Sequence, residues 1–265
     1  MTTTPRPAAF AFLALFAATS LSHATVLVDE PFNYPLGSIT GLNGGIGFAG
    51  PFTGTGTVSA PGQTFTDLAT SGNTFSTAGS DAGAFRLLLA PINTDSGVLF
   101  VRFLGSNTTG AAPQYAGFSF FNGGSEELFL GKTFQAVNYG LEVSGPGGGV
   151  ATSNSPISAT TTLLVYRLTF GTNNDTIDLF VNPGATLPGT PSATFTTANN
   201  GVFPATFDGI RLQSGNGTQT FDYDEIRIAT TAAEVLPIPE PATMVTLVGG
   251  LAVLGFVRRR KSNRN

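Results

Sequence analysis

The sequence predicts an all-β fold, an antiparallel β-sandwich, carried between two short apolar ends. Three observations lead there. Short apolar and β-branched runs recur through the middle of the chain and are cut off by Gly, Pro and Asn. No stretch of that region spaces its apolar residues as a helix does. The 34 glycines and 17 prolines supply the turns that many short strands require.

The amino-terminal end stands outside the fold. A positive residue, Arg6, precedes an apolar run from Ala8 to Ala18, and Ser22-His23-Ala24 follows with small residues at two key positions. That order is a secretory signal peptide with cleavage after Ala24. The run is shorter than the roughly 20 residues that span a bilayer. Removing residues 1–24 also removes His23, the only histidine, and the chain has no Cys. Histidine-dependent triads, histidine-based zinc sites, thiol nucleophiles and disulfides are therefore excluded from the mature protein.

Residues 25–235 form the predicted sandwich, long enough for one sizeable core. Charged residues are only 11% of the chain, but 41% is hydrophobic, which argues against disorder. Between residues 25 and 235 stand 6 basic and 15 acidic side chains, a surplus of nine negative charges. Phosphate backbones would be repelled, so nucleic-acid binding is excluded.

The predicted strands are Ala84–Leu89, Gly97–Leu104, Tyr115–Phe121, Glu127–Gly131, Tyr139–Val143, Thr162–Phe170, Thr176–Val181, Phe207–Leu212 and Phe221–Ile228. In Thr162–Phe170, Leu164, Tyr166, Leu168 and Phe170 make one wholly apolar face, so the strand reads as half-buried. Gly171 to Asp175 reads as a hairpin loop. Asn182-Pro183-Gly184 ends the next strand, with Gly184 expected to take the positive φ. Asn216-Gly217 reads as another turn.

The carboxyl-terminal end carries a second address. Pro239-Glu240-Pro241 precedes an uncharged apolar run, Ala242 to Val257, and then Arg258-Arg259-Arg260-Lys261. As a helix the run reaches about 24 Å, a little short of a ~30 Å hydrocarbon core, and its basic flank belongs in the cytoplasm. Residues 236–265 thus read as a sorting tail with a transmembrane helix over 242–257 and a basic end over 258–261. Pro-Glu-Pro, apolar helix and Arg cluster in this order resemble the PEP-CTERM sorting signal. That resemblance implies a membrane processing enzyme, exosortase, as partner. It also implies a path across the inner membrane, with transient anchoring by the tail, to the cell surface or extracellular matrix.

The middle of the chain carries a second resemblance. LLVYRLTF, DTIDLFVNP and FDGIRLQSGNGTQTFDYDEIRIATT resemble the last strands of concanavalin A-like, or laminin-G-like, jelly rolls. DEPFNYPLGSITGLNGGIGFAGPF resembles their first segment. The class contains lectins, adhesion modules and some glycan-cleaving enzymes.

Four groups of residues are candidates for chemistry. Gly45-Ile46-Gly47-Phe48-Ala49-Gly50 spells G-x-G-x-x-G, but Pro51 follows at once and no helix opens, so it reads as a flexible loop and not a dinucleotide site. Asp222, Asp224 and Glu225 cluster in the last strand. Their reading stays open between a structural role, a calcium site, which wants six to eight oxygens, and an acid/base pair. Strand alternation puts Asp222 and Asp224 on one face with Ile226 and Ile228, and Glu225 with Arg227 on the other. Glu126-Glu127 reads as a solvated turn. Tyr34, Tyr115, Tyr139, Tyr166 and Tyr223 are candidates for stacking on sugars, in a chain with no Trp. Three N-x-[ST] patterns, at Asn107, Asn174 and Asn216, carry little weight in a bacterial chain.

The function expected first is a non-enzymatic, exported surface or exopolysaccharide-matrix protein with no cofactor. The alternative is a carbohydrate-binding or adhesion module, with calcium as its one conceivable cofactor. A glycan hydrolase or lyase stands last, since the E-x-D spacing of catalytic concanavalin A-like glycosidases is missing.

Overall fold

The computed structural model describes residues 25–77, 82–108, 114–145, 147–198, 203–215 and 220–238. The signal peptide with Ala24, the turn at Asn216-Gly217 and the tail residues Pro239, Glu240, Pro241 and Arg258 to Arg260 lie outside them. So do both terminal helices of the expected architecture.

The strands in chain order are β1 Val26–Glu30, β2 Gly37–Ser38, β3 Thr53–Gly54, β4 Thr57–Ser59, β5 Thr74–Thr77, β6 Ala82–Asn93, β7 Gly97–Ser106 and β8 Tyr115–Asn122. They continue with β9 Ser125–Lys132, β10 Asn138–Val143, β11 Gly149–Pro156, β12 Thr162–Phe170, β13 Thr176–Val181, β14 Ala193–Thr196, β15 Thr206–Gly215 and β16 Phe221–Ala229. One 3-10 turn, Ala232–Glu234, is the only helical element described. Two antiparallel sheets result. The first has nine strands in the order β14-β13-β12-β7-β16-β5-β4-β2, with β1 also on β16; the second has seven, β11-β10-β9-β8-β15-β6-β3.

All nine strands expected from the sequence lie within observed ones. The strands without a sequence signal are short or polar. β11 is GVATSNSP and alternates between half-buried and exposed at the sheet edge, so it has no apolar face to betray it.

The core between the sheets is aromatic. Phe103 of the first sheet stacks on Phe118 of the second at 6.2 Å, and Phe120 stacks on Phe207 at 4.5 Å. Two buried tyrosines tie the sheets together. Tyr166 Oη donates to Gly140 O at 2.9 Å and Tyr223 Oη donates to Gly117 O at 3.0 Å. A buried phenol needs such a partner, and both acceptors belong to the opposite sheet.

Strand β12 departs from its half-buried reading. Leu163 and Val165, on the face away from the core, are fully buried too. They join Leu68, Phe100, Leu104 and Phe180 in a second cluster, which Val235 and Leu236 close from the C-terminal side. Burial extends through Pro237. At the end of β13 the positive φ falls on Asn182, at 51°, not on Gly184. Asn tolerates that region, and here its Oδ1 also accepts from Leu163 N at 2.8 Å.

Candidate functional site

The outer face of the seven-stranded sheet carries an open groove of about 250 Å³, lined by Tyr115, Glu126, Phe129, Phe134, Glu142, Arg211 and Gln213. Strand alternation builds it. In β8 and β15, Phe118, Phe120, Ile210 and Leu212 point into the core, so Tyr115, Ser119, Arg211 and Gln213 point outward. Antiparallel pairing then sets neighbours side by side. Arg211 faces Ser119, Ser119 faces Phe129, and Phe129 faces Glu142.

Glycines let the rings lie close to the sheet. A Cβ on Gly215 would stand 2.1 Å from the Tyr115 ring, and one on Gly117 would stand 2.6 Å from the Phe129 ring. These two rings pack edge to face at 6.2 Å. The half-exposed Phe134 forms part of the rim, in the turn after β9.

Polar groups fix the floor. Glu126 Oε2 accepts from Arg211 Nη2 at 3.0 Å and from Gln213 Nε2 at 2.8 Å. Gln213 Nε2 also reaches Ser119 Oγ at 3.0 Å, and the Arg211 guanidinium lies 5.1 Å over the Phe121 ring. Glu126 is therefore no solvated turn residue. The turn is Gly123-Gly124, and Glu126 sits inside β9 opposite Phe121, where a register shift aims it at Arg211. Arrangements of this kind, aromatic surface beside fixed donors and acceptors, suit a polar ligand with an apolar face.

Four of the five tyrosine candidates are core residues. Tyr139, Tyr166 and Tyr223 are fully buried and Tyr34 is 8% exposed. Tyr115 alone reaches the outer face. Phe129 and Phe134 were missed, because Phe in a strand-rich chain reads as core. Gly117 and Gly215 inside strands were the available signal, since such glycines mark a close approach.

The acidic cluster does something else. Strand β16 bulges between Asp224 and Arg227, and Glu225 takes φ 50°. A bulge adds one residue and reverses the alternation. Phe221, Tyr223, Ile226 and Ile228 therefore face the core together, and Ile226 and Ile228 do not share the face of the aspartates. Asp224 is fully buried; it accepts from Gln63 N at 2.7 Å and Glu225 N at 2.8 Å. Burial pushes its pKa up to about 8, against those two donors. Glu225 accepts from Ser71 N at 2.6 Å and pairs with Arg102 at 3.1 Å, not with Arg227. Arg227 pairs with Asp29 at 2.7 Å. The cluster pins the segment Gln63–Ser71 onto the sheet. Asp222 accepts from Ser76 Oγ. Among the described residues no group of three acidic, His or Cys side chains could hold a metal. Asp222 and Asp224 are spent on N–H and O–H donors and do not fit calcium's demand for many oxygens.

The G-x-G-x-x-G segment is an ordered clasp. It wraps the buried guanidinium of Arg86, which donates to Gly50 O at 2.7 Å, Gly44 O at 3.0 Å and Asn43 Oδ1 at 2.8 Å. Phe48 covers the guanidinium at 3.8 Å. The charge is met by Glu30 at 2.8 Å, with neither side chain exposed. A Cβ on Gly47 would stand 2.0 Å from Leu27 O, so the glycine serves close packing and not a phosphate.

Two antiparallel sheets packed face to face on an aromatic core make an all-β antiparallel sandwich. The globular domain of T. cruzi calreticulin is similar, with a TM-score of 0.50 and 14% identity over 88% of this chain and 100% of that one. Lectin II from Ulex europaeus gives a TM-score of 0.42 at 11% identity, covering 68% and 92%. The Lotus tetragonolobus seed lectin gives 0.44 at 10%, covering 77% and 97%. At such identities the likeness speaks for the fold alone, and the calreticulin domain carries it. No curated protein matches the chain. Residues 237–261 match the PEP-CTERM protein-sorting motif, the recognition signal for exosortase. That motif implies membrane-associated sorting and export to the cell surface. No helix among the described residues is long and apolar enough to cross a membrane; the apolar run 242–257 lies outside them.

Proposed function

We propose that this is an exported, non-enzymatic protein that is processed through its C-terminal sorting signal and then grips extracellular polysaccharide with the outer face of its seven-stranded sheet. One observation supports the grip above all. Tyr115, Phe129 and Phe134 stand in one groove with Arg211, Gln213, Glu126 and Glu142. Sugar rings have apolar faces and hydroxyl edges, and this groove offers both kinds of surface at once. Glu126 and Glu142 also line it together, the feature a glycosidase would need. Glu126, however, is occupied by two donors from β15, which suits a positioning role.

The test is a glycan array and titration on mature protein recovered from its host, beside Tyr115→Ala and Phe134→Ala. Truncating a central aromatic anchor costs on the order of 1–2 kcal/mol, roughly a five- to thirtyfold loss of affinity. Absence of binding to any glycan sinks the reading. Release of new reducing ends from a bound polysaccharide would move the groove to the hydrolases.

A further inference from the structure

We infer that the groove selects a polysaccharide bearing free ammonium groups, such as a deacetylated amino sugar polymer, over uronate or sulfated chains. This rests on the glycan-binding reading above and names the ligand class of the same groove.

Every cation of the sandwich is already spent. Arg86 pairs with Glu30, Arg102 with Glu225, Arg167 with Asp178, Arg211 with Glu126, and Arg227 with Asp29. Lys132, the sixth, is 3% exposed and gives Nζ to Gln114 O at 2.6 Å. Five carboxylates are matched in these pairs, and no further ion pair occurs among the described residues. The external field of the sandwich is thus negative, which repels anionic polymers at a distance.

The groove repeats this balance on a small scale. Arg211 is its only cation and Glu126 neutralises it. Glu142 lines the same groove, beside Phe129 across the β9–β10 pairing, and has no hydrogen-bond or ionic partner among the described residues. A partly buried carboxylate sharing a groove with the rings of Tyr115 and Phe134 attracts an ammonium group twice over, by charge and by the negative faces of the rings. A carboxylate or sulfate on the sugar would instead meet Glu142 with no free cation to answer it.

The experiment titrates mature protein at low salt and mildly acidic pH with three oligomers of equal length. These are glucosamine, N-acetylglucosamine and galacturonate. An exposed ion pair contributes a factor of about 2–5, so the glucosamine oligomer should bind about two- to fivefold tighter than its acetylated form. Galacturonate should bind weakest. Glu142→Gln should erase the preference between the two oligomers, and added salt should shrink it. If the acetylated and deacetylated oligomers bind alike, or galacturonate binds tighter, the charge selection is wrong and glycan binding stands. If none of the three binds while the array shows another glycan bound, the charge selection falls and glycan binding stands; if nothing on the array binds either, both fall. An oligolysine of matched charge that binds as well as glucosamine, with the same dependence on Glu142, would show that charge alone is read and overturn the sugar assignment.

Discussion

The Glu30–Arg86 pair gives the sharpest stability test, because both side chains are completely buried. Glu30 accepts three hydrogen bonds, from Phe32 N at 2.9 Å, Tyr34 Oη at 2.6 Å and Arg86 Nη1 at 2.8 Å. Burial drives the two groups toward neutrality, raising the Glu30 pKa and lowering that of Arg86. Only their mutual contact and hydrogen bonds hold the charges in place. Glu30→Gln removes one charge and keeps the shape, leaving a buried guanidinium without its counter-ion. Breaking a buried pair in this way costs about 3–5 kcal/mol, or roughly 6–20 °C in Tm for a domain of this size. Arg86→Met should cost at least as much, since the carbonyls of Gly44 and Gly50 lose their donor as well. The double variant should lose less than the two singles combined, by about 1–3 kcal/mol. The chain has no Trp, so unfolding in urea is followed by far-UV circular dichroism, with the slope m checked for constancy. A cost below about 1 kcal/mol for Glu30→Gln, at unchanged m, would contradict the argument that this charge is desolvated and held by its partner.

Other consequences are equally direct. Asp224 carries a pKa of about 8 in the fold against an ordinary 3.8. The folded chain keeps a proton that the unfolded chain releases, so the stability it brings is complete below about pH 3.8 and lost as pH climbs to about 8. Asp224→Asn should flatten urea stability across that window by up to ~1.4 kcal/mol per pH unit relative to the parent; equal slopes in both proteins would remove the raised pKa. Gly215→Ala would place a methyl 2.1 Å from the Tyr115 ring and push the ring out of the groove; glycan affinity should fall by about as much as for Tyr115→Ala, and an unchanged affinity would detach the ring from binding. Intact mass of protein from the envelope and medium should begin at Thr25 and end at or beyond Ile238, because Val235 and Leu236 are packed into the second cluster and Pro237 after them is buried. An end before Val235 would contradict that packing, and a mass retaining the Arg-rich end would make the tail a plain anchor.

The strands legible in the sequence are those whose faces differ. In β12 and β13 a hydrophobic period of two was plain, and the pairing Arg167 with Asp178 in adjacent strands completes it with an ion pair at 2.6 Å. What the period could not show was a second layer. Leu163 and Val165 looked like the less buried face, and the packing of Leu68, Val235 and Leu236 in the same cluster gives the strand two dry sides. Tertiary packing of this kind leaves no local mark. The bulge at Asp224 and Glu225 was hidden for a similar reason. One extra residue inverts the face of everything after it, while the letters still read as unbroken alternation.

The groove was the hardest part to read, and the cause is distance along the chain. Its ion pair joins residues 85 apart, and the Glu30–Arg86 pair enclosed by the clasp joins residues 56 apart. Local pattern is blind to contacts of that span. Glycine was the one signal that crossed the gap. In the G-x-G-x-x-G segment and in β15 alike, a missing side chain marks where something else must lie close, a backbone over Leu27 in one place and the Tyr115 ring in the other. Read as absences of volume, the same glycines that suggested loops and turns point to both the buried clasp and the exposed groove. What separates the two is charge. Inside, Arg86 is enclosed and answered by Glu30; outside, Arg211 is answered by Glu126, and Glu142 is left facing solvent as the one unmatched charge on an aromatic surface.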